Sequence, residues 1–137
     1  MELVEIGRDE CLRLLGDGDF GRVAVNSPGW PPLIRPVHYV FDGSSQSVVF
    51  RSAEGSKLTS LLRSQRAAFE VDGTDPTGQL GWSVIVVGSA EEITGAAELE
   101  RVTRLPLSAW QAGEPSRFMR IRATVVSGRR LVRTPPG

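Results

Sequence analysis

Five residue types occur only once in this 137-residue chain: cysteine at Cys11, asparagine at Asn26, histidine at His38, tyrosine at Tyr39 and lysine at Lys57. A single cysteine forms no internal disulfide, so nothing in the covalent framework argues for secretion. One cysteine and one histidine far apart supply no zinc ligand set. A serine–histidine–aspartate triad would have to use His38, and no G-x-S-x-G elbow is present to support one. Charge of one sign is also missing: sixteen basic residues balance sixteen acidic ones. A neutral chain carries no electrostatic footprint for nucleic acid or an anionic membrane, so any anion it holds must be held locally, at a site. No stretch approaches the roughly 20 apolar residues that span a bilayer. The opening MELVEIGRDECLRLLG is too acidic, and its apolar run too short, for a signal peptide. The expectation is a cytoplasmic protein.

What is present is an ordinary globular composition, 40% hydrophobic and 23% charged. The length suits one domain, taken here as residues 1–133 with a disordered tail at 134–137. A short helix is predicted over Asp9–Leu15, closed by Gly16 and Gly18. Strands are predicted over Gly21–Asn26 and Leu33–Phe41, the latter with Pro36 at an edge or bulge. A hairpin connection at 42–45 leads to a returning strand, Ser47–Ser52. A helical turn or two follows over Lys57–Arg63, with Ser56 as N-cap. Further strands are predicted over Ala67–Val71, from Trp82 toward Ile93, and over Arg117–Val126, the last continuing to Arg133 after a bend at Gly128. A helix is placed between them at Ala96–Arg104. On the last long strand, Arg120 and Arg122 share one face, either at a groove or in solvent. Frequent turn signals without a βαβ rhythm point to a mainly β, α+β fold: an antiparallel barrel or sandwich of six or seven strands with short inserted helices.

The string Gly16–Gly21, GDGDFG, matches the dinucleotide fingerprint G-x-G-x-x-G. It is rejected, because that fingerprint needs a strand before it and a helix after it, and here the order is reversed. More informative is VVFRSAEGSKLTSLLR, residues 48–63, where the only lysine stands at a strand-to-helix junction. A helix start offers backbone N–H groups and the positive end of a dipole. Ser56 adds a hydroxyl, Lys57 a compact ammonium, and Arg51 a planar fork within reach. On these residues alone a phosphate pocket and a plain capped helix with a solvated lysine both remain open.

Read with its neighbours the stretch becomes more specific. Arg35-Pro36-Val37-His38-Tyr39, a hairpin, then Val49-Phe50-Arg51-Ser52-Ala53-x-Gly55-Ser56-Lys57 resembles the pyridoxamine 5′-phosphate oxidase-like family of FMN-binding split β-barrels. Gly81–Gly88, followed by acidic residues, is similar to that family's later central strand. Phe118–Arg122 and Gly128–Leu131 are similar to its closing strands. The resemblance implies an oxidoreductase passing a hydride through FMN to or from a small substrate, working as a homodimer with the flavin between subunits. It implies that Arg51, Ser56 and Lys57 bind the FMN phosphate, that Arg35, Pro36, Val37 and His38 line the ring and ribityl chain, and that Phe50 and Ser52 sit alongside. Trp82 and Ser83 are its candidates for contacts from the partner subunit or the ring's far side. It names no catalytic residue: His38 could serve as an acid–base group or as a hydrogen-bonded strand residue. Trp30 and Trp110 are read as packing or dimer surface. The extra basic residues that the longer vitamin B6 oxidases carry are not evident here, which argues against that substrate. Two other readings stand beside this one. One is a reductase using the deazaflavin coenzyme, whose acidic tail would draw on Arg120, Arg122, Arg129 and Arg130. The other is a flavin-binding storage or sensing protein without turnover.

Overall fold

The chain begins by adding a strand to an edge. β1 (Glu2–Ile6) pairs antiparallel with β8 (Val125–Val132), the last strand. Between them lie α1 (Arg8–Asp17), β2 (Phe20–Val25), β3 (Leu33–Asp42), β4 (Ser47–Ala53), α2 (Lys57–Leu62), β5 (Arg66–Thr74), β6 (Gly81–Glu92), α3 (Ala96–Val102) and β7 (Ser116–Arg122). The computed structural model describes residues 1–63, 65–107 and 116–135. The sheet runs β1-β8-β6-β5-β2-β3-β4-β7, and a β6–β7 pairing closes it on itself. The result is a closed six-stranded antiparallel barrel of β6, β5, β2, β3, β4 and β7, with β8 and β1 extending from the edge of β6.

Alternation along the strands fills the interior. Val23 and Val25, Val37 and Tyr39, Val48 and Phe50, Phe69 and Val71, Val84 and Val86, and Met119 and Ile121 point inward and are buried. Burying each such side chain contributes roughly 1.5–3 kcal/mol. Helices plug the two ends: Cys11 and Leu15 of α1 join the core at one end, Leu58 and Leu62 of α2 at the other. Tyr39 ties the first plug down. Its hydroxyl donates to the Leu15 carbonyl at 2.6 Å, and its ring meets Phe69 edge-on at 4.6 Å.

Two features differ from the sequence expectation. β1 was not anticipated: its Glu2, Leu3 and Glu5 are exposed and only the alternation of Val4 and Ile6 marks it. The long final strand breaks at Ala123-Thr124, not at Gly128. The reason lies in β6, which pairs with β8 through Val87–Val125 and then with β7 from Ala90–Ile121. At the handover sits Gly88, where a Cβ would stand 1.9 Å from the Arg122 carbonyl oxygen. Only glycine lets the two backbones approach so closely.

α3 lies outside the barrel over a small second core of Val49, Ile93 and Val102. Arg101 reaches from it to the buried Asp42 with two hydrogen bonds of 2.8 Å. Arg120, expected at a groove or in solvent, is buried beneath this helix, where it pairs with Glu98 and lies 3.5 Å from Glu91. The Arg101 fork, opposed by burial and aided by the Ser45 hydroxyl, holds the Asp42 carboxyl down at about 2. A carboxyl lowered by folding contributes stability in full above its ordinary value near 3.8 and loses it as pH falls toward 2. Asp42→Asn is therefore expected to lower stability by about 2 kcal/mol near neutrality. Urea titrations of both proteins should show that gap closing between about pH 4 and pH 2. A gap that does not change with pH would contradict the assignment.

Candidate functional site

Closure is incomplete at one seam. The β3–β4 ladder runs from Asp42–Ser47 to Tyr39–Phe50 and ends there. β3 continues back to Leu33 along β2, and β4 continues to Ala53 along β7. Between those two lips the barrel is split. Arg35 shows the consequence: it belongs to the inward-facing set with Val37 and Tyr39, yet it is exposed, because β4 has already diverged. Pro36 fits the same geometry. The Tyr39 N–H donates to Asp19 beyond β2, so by alternation the Pro36 nitrogen faces the split and no ladder bond is lost.

The second lip is built by a knot of hydroxyls. Gly55, at φ +79°, turns the chain from β4 into α2. Ser56 caps that helix by accepting from the Thr59 N–H at 3.1 Å. The buried Thr59 hydroxyl lies 2.9 Å from Ser56 Oγ, 2.6 Å from Ser52 Oγ and 2.7 Å from the Ala53 carbonyl. Ser52 and Ser56 are 3.4 Å apart. The Ser56 hydroxyl is thus engaged in capping, and α2 has six residues. Any grip on an anion therefore falls chiefly on side chains.

Three cations stand at the lips. Lys57 is exposed, with its ammonium 5.3 Å from the centroid of the Trp30 ring on the β2–β3 turn. Arg51 is half-buried over Phe118 at 5.5 Å, with Nε donating to the Ser116 hydroxyl at 2.8 Å. Arg35 donates to the Ile34 carbonyl, at 2.9 Å. Among the described residues none of the three has a carboxylate partner, whereas nine other arginines do. The nearby acid Glu54 is already taken, 2.5 Å from Arg117, which holds its carboxyl below the usual range.

The remaining expected site residues fall elsewhere. Val37 and Phe50 are buried in the barrel core, so only their backbone can meet a ligand. His38 is half-buried on the outer face, edge-on to Phe20 at 5.1 Å. Trp82 and Ser83 pair with Gly73 and Asp72 at the far end of β5. Arg66, where β5 leaves α2, is seven residues from Gly73, or about 23 Å along the strand. The structure does not bring them to the split; Trp82 instead borders a depression of about 440 Å³ with Glu10, Arg13, Leu14 and Arg130. Trp110 lies outside the described residues. Thr59 and Ser116 were not anticipated, and Trp30 was read only as packing or dimer surface. The T-S-L-L run hid Thr59 as one more helical residue, and Trp30 stands in a turn with no pattern around it.

The knot is open to test. Thr59→Val removes the central hydroxyl but keeps its shape, leaving the Ala53 carbonyl without that donor. The urea midpoint is expected to fall by an amount worth about 1–3 kcal/mol. An unchanged midpoint would show that the hydroxyls do not hold α2 to β4.

A model of the family described as pyridoxamine 5′-phosphate oxidase matches residues 7–130. An uncharacterized protein of Mycobacterium tuberculosis is 37% identical over 143 residues, covering 98% of this chain and 91% of the relative. The solved FAD-binding protein of Mycobacterium smegmatis superposes with a TM-score of 0.80 at 31% identity, over 94% of this chain and all of that one. A solved FAD-binding protein of Mesorhizobium loti superposes at 0.79 with 26% identity, over 96% of this chain and all of that one.

Proposed function

This chain belongs to the pyridoxamine 5′-phosphate oxidase family, and on that premise we propose that it is a flavin-dependent oxidoreductase whose cofactor lies in the split between β3 and β4. The observation that carries the reading is the trio of cations without carboxylate partners, Arg35, Arg51 and Lys57, on the two lips of that split. A flavin presents a planar body and an anionic phosphate, and the residues present fit it. Lys57 offers a compact ammonium, and among the described residues Arg51 is hydrogen-bonded through Nε alone, which leaves its outer guanidinium nitrogens; both suit a phosphate. Arg35, with the β3 backbone from Pro36 to His38, stands where the planar body would lie. The phosphate contact assigned to Ser56 is secondary, because its hydroxyl caps α2. Ser52, turned into the hydroxyl knot, supports the lip.

A bound flavin supplies hydride transfer to or from a small substrate. The chain's own part is to bind the phosphate, orient the ring along β3 and keep the neighbouring carboxylate, Glu54, occupied by Arg117. The FMN portion is common to FMN and FAD, and the two solved relatives are described as FAD-binding. The deazaflavin reading loses support from the same geometry. Of the four arginines it would draw on, Arg120 is buried with Glu98, Arg122 bonds Glu91 at 2.6 Å and Arg130 bonds Glu10 at 2.9 Å.

A homodimer is part of the proposal. Ile34, Ala24, Ala68, Val87 and Val125 are register partners in one row across five strands, all on the outer face of the sheet. Ile34 is 60% and Val125 52% exposed, with the three residues between them half-buried, and an apolar row of this kind suits a subunit interface. Ala68→Glu, at the centre of the row, is expected to give a folded monomer by sedimentation at micromolar concentration, where the wild type is a dimer. A monomeric wild type, or an unaffected dimer, would remove this part of the proposal.

Lys57→Ala tests the cofactor reading. Lost charge-assisted bonds are worth about 1.5–3 kcal/mol, so flavin affinity should fall roughly 10- to 100-fold. Because Lys57 is exposed, thermal stability of the apoprotein should stay within about 0.5 kcal/mol of wild type. Equal dissociation constants for the two apoproteins would exclude Lys57 as the phosphate anchor.

A further inference from the structure

We infer that Trp30 is the platform on which the adenine of FAD stacks, so that this residue makes the site favour FAD over FMN. The inference rests on the flavin reading above, and specifically on Lys57 as the phosphate anchor. That anchor marks where FMN ends. In FAD a second phosphate and an adenosine continue from the same point, and what they meet depends on what borders Lys57.

Trp30 borders it. The indole centroid is 5.3 Å from Lys57 Nζ, and the residue is 71% exposed. A tryptophan held this open is costly to solvate, and this one is not loosely placed. Its backbone N–H donates to the Ser27 carbonyl at 3.0 Å, the preceding Gly29 sits at φ +75°, and Pro31-Pro32 follow and restrict the chain beyond it. A ring held by a stiff turn loses little freedom when a second ring stacks on it. Aromatic stacking on a nucleobase contributes about 1–3 kcal/mol, and every base offers a face for it. The Lys57 ammonium lies over one face of the indole and leaves the other face for a base, and its three N–H groups can meet a phosphate while it remains close to the ring. The other tryptophan among the described residues, Trp82, lies at the far end of β5 and borders its own depression.

The full-length apoprotein is titrated with FAD and with FMN, following quenching of flavin fluorescence, for wild type, Trp30→Ala and Trp30→Phe. Wild type is expected to bind FAD about tenfold or more tighter than FMN. Trp30→Ala should lose that preference by weakening FAD alone, with FMN unchanged within about twofold, while Trp30→Phe retains most of it. Circular dichroism and sedimentation of each variant accompany the titrations. Equal wild-type affinities for the two flavins would overturn the inference. So would a Trp30→Ala protein that weakens both flavins alike, or one that dissociates the dimer with the FAD-to-FMN ratio intact, which would assign Trp30 to the subunit interface. A wild type that binds neither flavin would sink the flavin reading itself, and this inference with it.

Discussion

A strand that is paired on both edges has no free backbone to offer, and β3 and β4 stop pairing with each other at Tyr39–Phe50. Everything proposed for this protein depends on that parting. It leaves Arg35 exposed although it belongs to the inward-facing set, and it gives Pro36 a place where its missing N–H costs nothing. The parting is stable because each strand keeps its other neighbour, β2 for β3 and β7 for β4. The end of the barrel beneath it is filled by Leu58 and Leu62 of α2. Closure at the β6–β7 seam, beside the Gly88 handover and one ladder away from the split, is what lets one seam remain open without losing the core.

Electrostatics follow the same division. In a protein of zero net charge, most guanidinium groups are matched: Arg22 with Glu70 and Asp72, Arg101 with Asp42, Arg117 with Glu54, Arg120 with Glu98. The exposed pairs among these contribute little to stability, whereas the buried Asp42 and Arg120 hold α3 to the barrel. Their effect here is subtractive, since they remove carboxylates that would otherwise compete for the lips of the split. What remains there is positive charge without a carboxylate partner among the described residues, held beside the inward-facing apolar set of β3 and β4. An anionic group on a planar body answers both halves of that description.

Much of this was legible from residues. The alternation in LIRPVHYVF and SVVFRS, with a turn between them, marks the β3–β4 hairpin, and a lone lysine after a strand in an arginine-rich chain marks the anchor proposed here. The reversed order around Gly16–Gly21 was enough to reject a dinucleotide fingerprint, and α1 runs through Gly16 into Asp17 before β2 begins. Other features depend on distant partners that periodicity does not report. Arg120 alternates like a surface residue, and only the docking of α3 buries it. Phe50 is adjacent to the site residues in sequence, but strand alternation turns it into the core. The bend at Ala123-Thr124 is set by the passage of β6 at Gly88, 35 residues earlier in the chain. Trp30 acquires meaning only when α2 brings Lys57 beside it.

The central claim is that the split holds a flavin, and the most direct test is the absorption spectrum of freshly purified protein, with mass spectrometry of whatever heat releases. A two-banded flavin spectrum and the mass of FAD or FMN is the expected result. A colourless protein that also takes up neither flavin when it is added would contradict the claim, and would leave the cations of the split to be explained by a different anion.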